Sequence, residues 1–315
     1  MPVGGAGQAT HEALPVPDLE IAARALEMTA RAALDSAGVG EIEFGVILVG
    51  HHVHPLRGAD EILVLDHGRL RRVPVGERRV ALVLSAYPTK RSRLGNAVGL
   101  DTPASALALL HALRDAGYRV DRIPESGDAL MAELAAGLTY EEPQLSPTQL
   151  ARAAGRLDAG RYSSWFAGLP AEARDLVEGV WGPAPGEVYL TPDGGELVFP
   201  GLDLGGVLVT IQPPRGFGDD PIGTYHAPDM PPPHHYLAFY RWLEDGWGAD
   251  AVVHAGKHGT LEWLPGKANA LSAGCFPDAA LGDLPFVYPF VVNDPGEGTQ
   301  AKRRVHATIV DHLPP

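Results

Sequence analysis

The sequence predicts an α/β fold with mainly parallel sheets. Short apolar runs such as VALVLSA, GGVLVTIQPP and AVVHA have the length and composition of buried strands, and capped segments with helical periodicity separate them. Polar, glycine-rich loops follow several of these runs. Because open α/β sheets bind ligands beyond the carboxyl ends of their strands, this order predicts Rossmann-like units with a ligand cleft at that edge.

Composition and charge limit the classes of protein to consider. The chain has 315 residues, of which 45% are apolar, and contains no run of about eighteen apolar residues that could span a bilayer. Its formal charge of −14 argues against a nucleic-acid partner, and its single cysteine, Cys275, excludes an intrachain disulfide and a multi-cysteine metal site. No signal sequence opens the chain, so we expect a cytoplasmic protein without a membrane span.

Three segments are predicted, at residues 1–78, 79–185 and 186–315. The first contains an alanine-rich helix at residues 18–37, followed by two apolar runs that are predicted to be strands. Between these runs, HHVHPLRG contains His51, His52 and His54, a cluster that suggests a metal site. Adjacent side chains of an extended segment point to opposite faces, so loop histidines are the favoured interpretation.

The second segment is predicted to be an α/β unit. After the strand VALVLSA, Asp101 caps a helix with Pro103 at its first position, Gly117 ends that helix, and a strand follows at residues 118–123. The strand and the helix are joined by a long loop, which therefore lies beyond the carboxyl end of the strand.

This loop, residues 87–100, is basic. Lys90, Arg91 and Arg93 can hold carboxylate or phosphate groups of a ligand. A solvated loop without a ligand explains the same charges, and on charge alone it is the favoured interpretation.

The third segment is predicted to be an α/β unit that carries the polar loop GKHGTLEWLPGK. Before that loop come a hairpin, EVYLTPDGGELVF, a buried strand, GGVLVTIQPP, a helix that begins at Pro233, and the strand AVVHA. After it, a strand in FVYPFVVND precedes a capped helix. Ala301, Val305 and Ile309 are predicted to form the apolar stripe of that last helix.

The loop GKHGTLEWLPGK does not have the spacing of a Walker phosphate loop. Leu261 stands where that motif needs a glycine, and Lys267 is followed by Ala268 instead of a hydroxyl residue. His254, His258 and Glu262 recur at intervals of four residues, but two glycines argue for a loop up to about Gly259, after which Thr260 is predicted to cap a short helix that carries Glu262.

Two interpretations of this cluster remain open. Imidazole and carboxylate groups bind divalent transition metals and accept protons near neutral pH, and glycine permits close approach of a ligand. Alternatively, His254 is a hydrogen-bonded structural residue at a strand end, and Glu262 pairs with a lysine. The spacing alone does not decide between them.

Several long stretches of the sequence resemble one family. They are YPTKRSRLGNAVGLDTPAS, IQPPRGFGDDPIGTYHAPDMPPPHHYLAFYRWL, GADAVVHAGKHGTLEWLPGK and LPFVYPFVVNDPGEGTQAKRRVHATIVDHL. Together they resemble the CobN-type large subunit of cobaltochelatase, which is related to the porphyrin-binding large subunit of magnesium chelatase. The resemblance covers roughly residues 70–315 and does not extend to residues 36–68. Because the family's chains are much longer, it implies a central portion of such a subunit.

The resemblance implies ATP-dependent insertion of Co²⁺ into a corrin precursor, hydrogenobyrinic acid a,c-diamide, in cobalamin biosynthesis. It also implies partner ATPase subunits of the AAA+ class that hydrolyse the ATP, in agreement with the missing Walker motif. Two alternatives stay open: a non-catalytic tetrapyrrole- or metal-binding module, and a magnesium chelatase homologue that inserts Mg²⁺ into protoporphyrin IX.

Within this resemblance, His258 and Glu262 are expected to be the catalytic base and metal relay, with His254 as a further metal ligand. Metal insertion requires loss of the inner N–H protons of the macrocycle, so a base must face its centre. Further candidates fall into two groups. The second-rank metal ligands are His226, His234 and His235, and the substrate-binding residues are Lys90, Arg91, Arg93, Trp263 and Lys267.

Overall fold

A computed structural model describes residues 70, 72–85, 95, 100–140, 146–216, 227–256, 259–289 and 295–310. The helices in these ranges are α1 (Thr102–Asp115), α2 (Gly127–Ala136), α3 (Pro147–Ala151), α4 (Ala159–Ala167), α5 (Ala171–Trp181), α6 (His234–Arg241), α7 (Phe276–Leu281) and α8 (Pro295–Arg304). The strands are β1 (Val80–Leu84), β2 (Gly155–Asp158), β3 (Glu196–Phe199), β4 (Leu202–Asp203), β5 (Val207–Ile211), β6 (Ala251–Ala255), β7 (Phe286–Tyr288) and β8 (Thr308–Ile309). The helix and the three histidines predicted in the first segment lie outside the described residues.

The strands form a six-stranded sheet in the order β4-β5-β1-β6-β7-β8, and β2 pairs with β3 in a separate two-stranded sheet. Every neighbouring pair of the large sheet is parallel except β4 and β5. The predicted α/β class with a mainly parallel sheet is therefore confirmed. β1, from the predicted unit 79–185, lies between β5 and β6 of the predicted unit 186–315, so the two segments share one sheet.

The central strands are apolar because helices cover both faces of the sheet. All five residues of β1 and all five of β5 are buried, as expected for parallel strands with two covered faces. Ala81 and Val83 of β1 pack with residues of α4 to α8 on one face. Leu82 and Leu84 pack with α1 and α2 on the other.

The parallel arrangement brings the carboxyl ends of β1, β5, β6 and β7 to one edge of the sheet. The register pairs Leu84 of β1 with Ile211 of β5 and with Ala255 of β6. The basic loop at residues 87–100 follows β1, and the loop with Glu262 follows β6. Both predicted ligand-binding loops therefore leave neighbouring strands at the same edge.

Two predicted strands are replaced by shorter contacts. Residues 118–123 form a single bridge, between Val120 and Gly205, because they run beside the turn that precedes β5 and not beside an extended strand. The predicted hairpin has its turn, in which Thr191 N–H donates to the Glu196 carbonyl over 2.9 Å. Its first arm, however, is reduced to one bridge, and β3 pairs along its whole length with β2.

The ends of two predicted helices also differ. The helix predicted to carry Glu262 is one 3₁₀ turn, Leu261–Trp263, which Thr260 does not cap with its side chain. The apolar stripe predicted for the last helix is shorter than expected, because α8 ends at Arg304 and Ile309 belongs to β8. In the part of the chain that the structure describes, no helix is long and apolar enough to cross a membrane.

Candidate functional site

Glu262 lies at the carboxyl edge of the sheet, on the 3₁₀ turn after β6. Its side chain is almost completely buried, with 1% of the residue exposed. The hydroxyl of Tyr288, the last residue of β7, donates a hydrogen bond to Glu262 Oε1 over 3.1 Å. The same hydroxyl accepts a hydrogen bond from the backbone N–H of Gly259. One phenol therefore links the carboxylate to the backbone of the loop.

His254 lies beside this pair. It is the fourth residue of β6 and is fully buried. Its Nε2 lies 2.9 Å from Ser85 Oγ, which follows β1, and its ring stacks on Tyr288 with centroids 5.1 Å apart and planes at 19°. Tyr288 thus contacts both His254 and Glu262, the two described members of the predicted cluster.

The glycines of this loop are required by close packing. A Cβ atom on Gly256 would overlap Ser85 Oγ. A Cβ on Gly259 would lie 2.7 Å from Cε1 of His254 and 3.1 Å from the amide of Gln212. Glycine was predicted here because it permits close approach of a ligand. In the structure, the groups that lie close to these two glycines are protein side chains.

A second set of hydrogen bonds holds the loop from β5 and α6. Gln212, which follows β5, accepts from Thr260 N–H over 3.1 Å and donates to the hydroxyls of Tyr240 and Tyr236 over 3.0 and 3.2 Å. Tyr236 OH lies 2.8 Å from Thr260 Oγ1. Burial raises the pKa of both tyrosines, so they remain neutral hydrogen-bonding groups. The sequence analysis did not predict the hydrogen bonds that Tyr236 and Tyr240 make.

A buried arginine interacts electrostatically with Glu262. Arg304, at the end of α8, is 7% exposed and donates to the Leu264 carbonyl over 2.6 Å. Burial lowers the pKa of Arg304, while Cys275 and Glu262 act in the opposite direction. A buried carboxylate is destabilising without a positive charge nearby, and the positive charge of Arg304 acts electrostatically on Glu262.

The structure brings His254 and Glu262 into contact with one shared residue, Tyr288, but other predicted residues lie outside its described ranges. Trp263 follows Glu262 and is 38% exposed, and Lys267 is exposed beyond it. Among the described residues, no group of three His, Cys, Asp or Glu side chains can hold a metal ion. The predicted site residues that lie outside the described ranges are His226, His258, Lys90, Arg91 and Arg93.

His234 and His235 are engaged in hydrogen bonds within the protein. His234 Nδ1 lies 2.9 Å from the Tyr162 hydroxyl, and its Nε2 lies 2.9 Å from the Gly182 carbonyl. His235 Nε2 donates to the Val198 carbonyl over 2.9 Å, and burial lowers the pKa of His235 to about 4. Metal binding by His234 would require it to give up one of these bonds.

Known proteins are similar to the same region of the chain. The model of the CobN/magnesium chelatase family matches residues 62–315. The aerobic cobaltochelatase subunit CobN of a Sinorhizobium species is 44% identical over 310 residues, which are 98% of this chain and 23% of that protein. The likeness therefore extends into the N-terminal region that sequence patterns alone did not match. A magnesium-chelatase subunit of Rhodobacter capsulatus is 35% identical over 255 residues, 80% of this chain and 20% of the relative.

A solved structure is similar as well. The catalytic subunit of cobaltochelatase from Mycobacterium tuberculosis is 54% identical, with a TM-score of 0.69 over 80% of this chain and 21% of that one. This chain thus spans about a fifth to a quarter of the length of the proteins it matches. The matches in sequence and in fold agree, and this chain belongs to the CobN/magnesium chelatase family.

Proposed function

We propose that this chain is the tetrapyrrole-binding part of the large subunit of an ATP-dependent metal chelatase, and that its substrates are Co²⁺ and hydrogenobyrinic acid a,c-diamide. The observation that carries the proposal is the buried Glu262 carboxylate beside His254, at the strand ends where α/β sheets bind ligands. Cobalt is favoured over magnesium because the cobaltochelatase relative is 44% identical and the magnesium chelatase relative 35%.

The chemistry of insertion explains the residue types. A divalent ion that enters the ring displaces inner N–H protons, one from a corrin and two from a porphyrin, so a base must accept a proton as the metal–nitrogen bonds form. The Glu262 carboxylate attracts the cation, and Glu262 and His258 together supply the base and the metal relay at the ring centre. His254 supports them as a further metal ligand on the path of the ion.

Residues around this pair account for recognition of the ring. Trp263 is adjacent in sequence to Glu262 and exposes 38% of its surface, so its indole can pack on the macrocycle. Lys267 and the basic residues of the loop after β1 pair with peripheral carboxylates of the ring. These basic residues are Lys90, Arg91 and Arg93. This assignment is supported by the parallel pairing of β1 with β6, which directs both loops from one edge.

The energy for insertion comes from separate AAA+ ATPase subunits. The sequence has neither a Walker motif nor a Gly-x-Gly-x-x-Gly turn after a strand, so we expect no ATP hydrolysis by this chain alone. Phosphate release by the purified chain, if it disappeared on substitution of Lys267, would contradict this division of labour.

A reconstitution experiment tests the proposal. The complete large subunit, or this chain with the missing parts of that subunit, is mixed with purified ATPase subunits, ATP, Co²⁺ and hydrogenobyrinic acid a,c-diamide. Metal insertion is followed by absorbance, with omission of ATP or of the ATPase subunits as controls. Turnover supports the chelatase, whereas tight ring binding without turnover supports the non-catalytic module. Turnover only with Mg²⁺ and protoporphyrin IX supports the magnesium alternative.

A further inference from the structure

We infer that Tyr288 and Gln212 are positioning residues for the insertion step, an inference that rests on the proposed function. Neither residue belongs to the predicted cluster, and neither is proposed as a metal ligand. Both lie at strand ends next to the loop that carries His258 and Glu262. Their hydrogen bonds hold Gly259, Thr260 and Glu262 of that loop.

Tyr288 fixes the direction of the Glu262 carboxylate. Its hydroxyl donates its one proton to Glu262 Oε1 over 3.1 Å and accepts from Gly259 N–H, so both functions of the phenol are in use. The phenol ring is held in turn by its stack on His254. A rotation of Glu262 away from this position breaks a buried hydrogen bond to a charged group, which is one of the stronger hydrogen bonds in a protein.

Gln212 fixes the backbone at Thr260, which lies between His258 and Glu262 in the sequence. The hydroxyls of Tyr236 and Tyr240 accept from its Nε2 and so determine which side of the amide faces Thr260. Its Oε1 then accepts from Thr260 N–H, while Thr260 Oγ1 bonds to Tyr236. Thr260 is therefore held at its backbone and at its side chain, two residues after His258 and two before Glu262.

Together these bonds connect the loop to β5, β7 and α6. Such preorganisation favours a base that must face the ring centre, because the free-energy cost of orienting the base is met during folding and not during the reaction. A purely structural role would also use these bonds, but it would affect folding stability and leave the insertion step unchanged. The two roles therefore give different results when stability and rate are measured separately.

The test is a double-mutant cycle in the reconstituted chelatase. Tyr288→Phe removes the hydroxyl and keeps the ring that stacks on His254. We expect the single-turnover rate of Co²⁺ insertion to fall roughly 10- to 100-fold, with the affinity for hydrogenobyrinic acid a,c-diamide unchanged. In the Glu262→Gln background the same substitution should have little further effect, because a residue that acts through Glu262 has nothing left to orient.

Tyr189→Phe is the matched control. It removes another buried hydroxyl, which donates to the Tyr140 carbonyl over 3.1 Å, and should leave the insertion rate unchanged. Gln212→Met preserves length and should reproduce the fall in rate with intact ring binding; it decides the question if Tyr288→Phe does not fold, as judged by its melting temperature.

The outcomes separate this inference from the proposed function. If the parent protein binds the ring but inserts no metal with its partners present, the proposed function and the inference both fail. If the parent inserts metal and Tyr288→Phe does so at the parent rate, only the positioning role fails. It also fails if the effect of Tyr288→Phe is equally large in the Glu262→Gln background.

Discussion

At the scale of single residues, the candidate site depends on contacts between side chains that are far apart in sequence. His254 bonds to Ser85, and Tyr288 bonds to Glu262. Each contact joins the end of one strand to the end of another or to the loop after β6. A substitution at one of these positions is therefore expected to displace the side chains at the others. Substitution of a glycine in the loop after β6 is the simplest test of this packing.

Gly259→Ala should destabilise the protein. The new Cβ would lie 2.7 Å from His254 Cε1, so the loop or the imidazole must move. We expect a loss of about 1–3 kcal/mol in the free energy of unfolding, measured by urea denaturation. Gly179→Ala is the control, because Gly179 lies within α5 and a Cβ there meets nothing within 4 Å. That variant should gain up to about 1 kcal/mol, and equal effects of the two changes would contradict the close packing at Gly259.

The buried His235 should make stability depend on pH. Burial lowers its pKa from 6.5 to about 4 in the folded protein, so between these values the unfolded chain binds a proton that the folded chain does not. Its contribution is complete above about pH 6.5 and is lost as the pH falls towards about 4, amounting to about 3 kcal/mol. Urea unfolding at several pH values measures it.

His235→Gln is the reference for this measurement, since its amide can still donate to the Val198 carbonyl but does not titrate. The variant should lose less stability than the parent between pH 7 and pH 4. Parallel curves for the two proteins would mean that His235 is already protonated in the folded state or exposed.

The sequence pointed to only part of the candidate site. His254 and Glu262 were predicted because they lie with His258 among glycines in one short stretch. Ser85, Gln212 and Tyr288 were not, because each is a single polar residue at the end of an apolar run. Only the register of the parallel strands brings them together. The one signal available beforehand is their position, since each follows or ends a buried strand.

At the scale of elements, local sequence patterns predicted the helices and strands whose own residues carry a clear signal, such as an apolar run or a capping residue. The strand β1 and the cap of α1 are present as expected. Residues 118–123 were predicted as a strand that follows α1, but the neighbour they meet is a turn, and a strand needs an extended partner. Whether residues 118–123 form a strand depends on the segment they pair with in the fold, and no local sequence pattern indicates that partner.

The N-cap of α1 gives a prediction at this scale. Asp101 Oδ1 accepts from Ala104 N–H over 3.0 Å, and Asp101→Ala should cost about 1 kcal/mol of unfolding free energy. Asp101→Asn should retain most of it, because asparagine also caps helices. Asp115→Ala, at the other end of the same helix, is the matched control and should be neutral or slightly stabilising. A similar loss at both positions in chemical denaturation would show that the cap is not the cause.

At the scale of the whole molecule, one sheet combines strands from distant parts of the chain. β1 lies between β5 and β6 although about 120 residues separate β1 from β5, and this arrangement brings the carboxyl end of β1 beside that of β6. The alternation of strands and helices predicted the class of the fold. It did not predict the strand order, which depends on packing between segments.

Ring binding and metal insertion should depend on different residues. Affinity for the ring should depend on apolar contact and on pairing with its carboxylates, whereas insertion needs a negative charge at its centre. Changes to His258 and Glu262 should therefore reduce insertion non-additively, because residues that act as a unit do not contribute independently. His258→Ala alone should resemble Glu262→Gln in its effect.

The most direct measurement compares ring binding and Co²⁺ insertion by the Glu262→Gln variant of the reconstituted chelatase. The substitution keeps the size and the hydrogen-bond acceptor for Tyr288 but removes the charge. We predict parent-like fluorescence quenching by the ring and an insertion rate reduced by about 10²–10⁴-fold, with exposed Glu172→Gln at the parent rate as control. Insertion at the parent rate by Glu262→Gln, or loss of ring binding through unfolding, would show that the Glu262 carboxylate is structural and would contradict the proposed site.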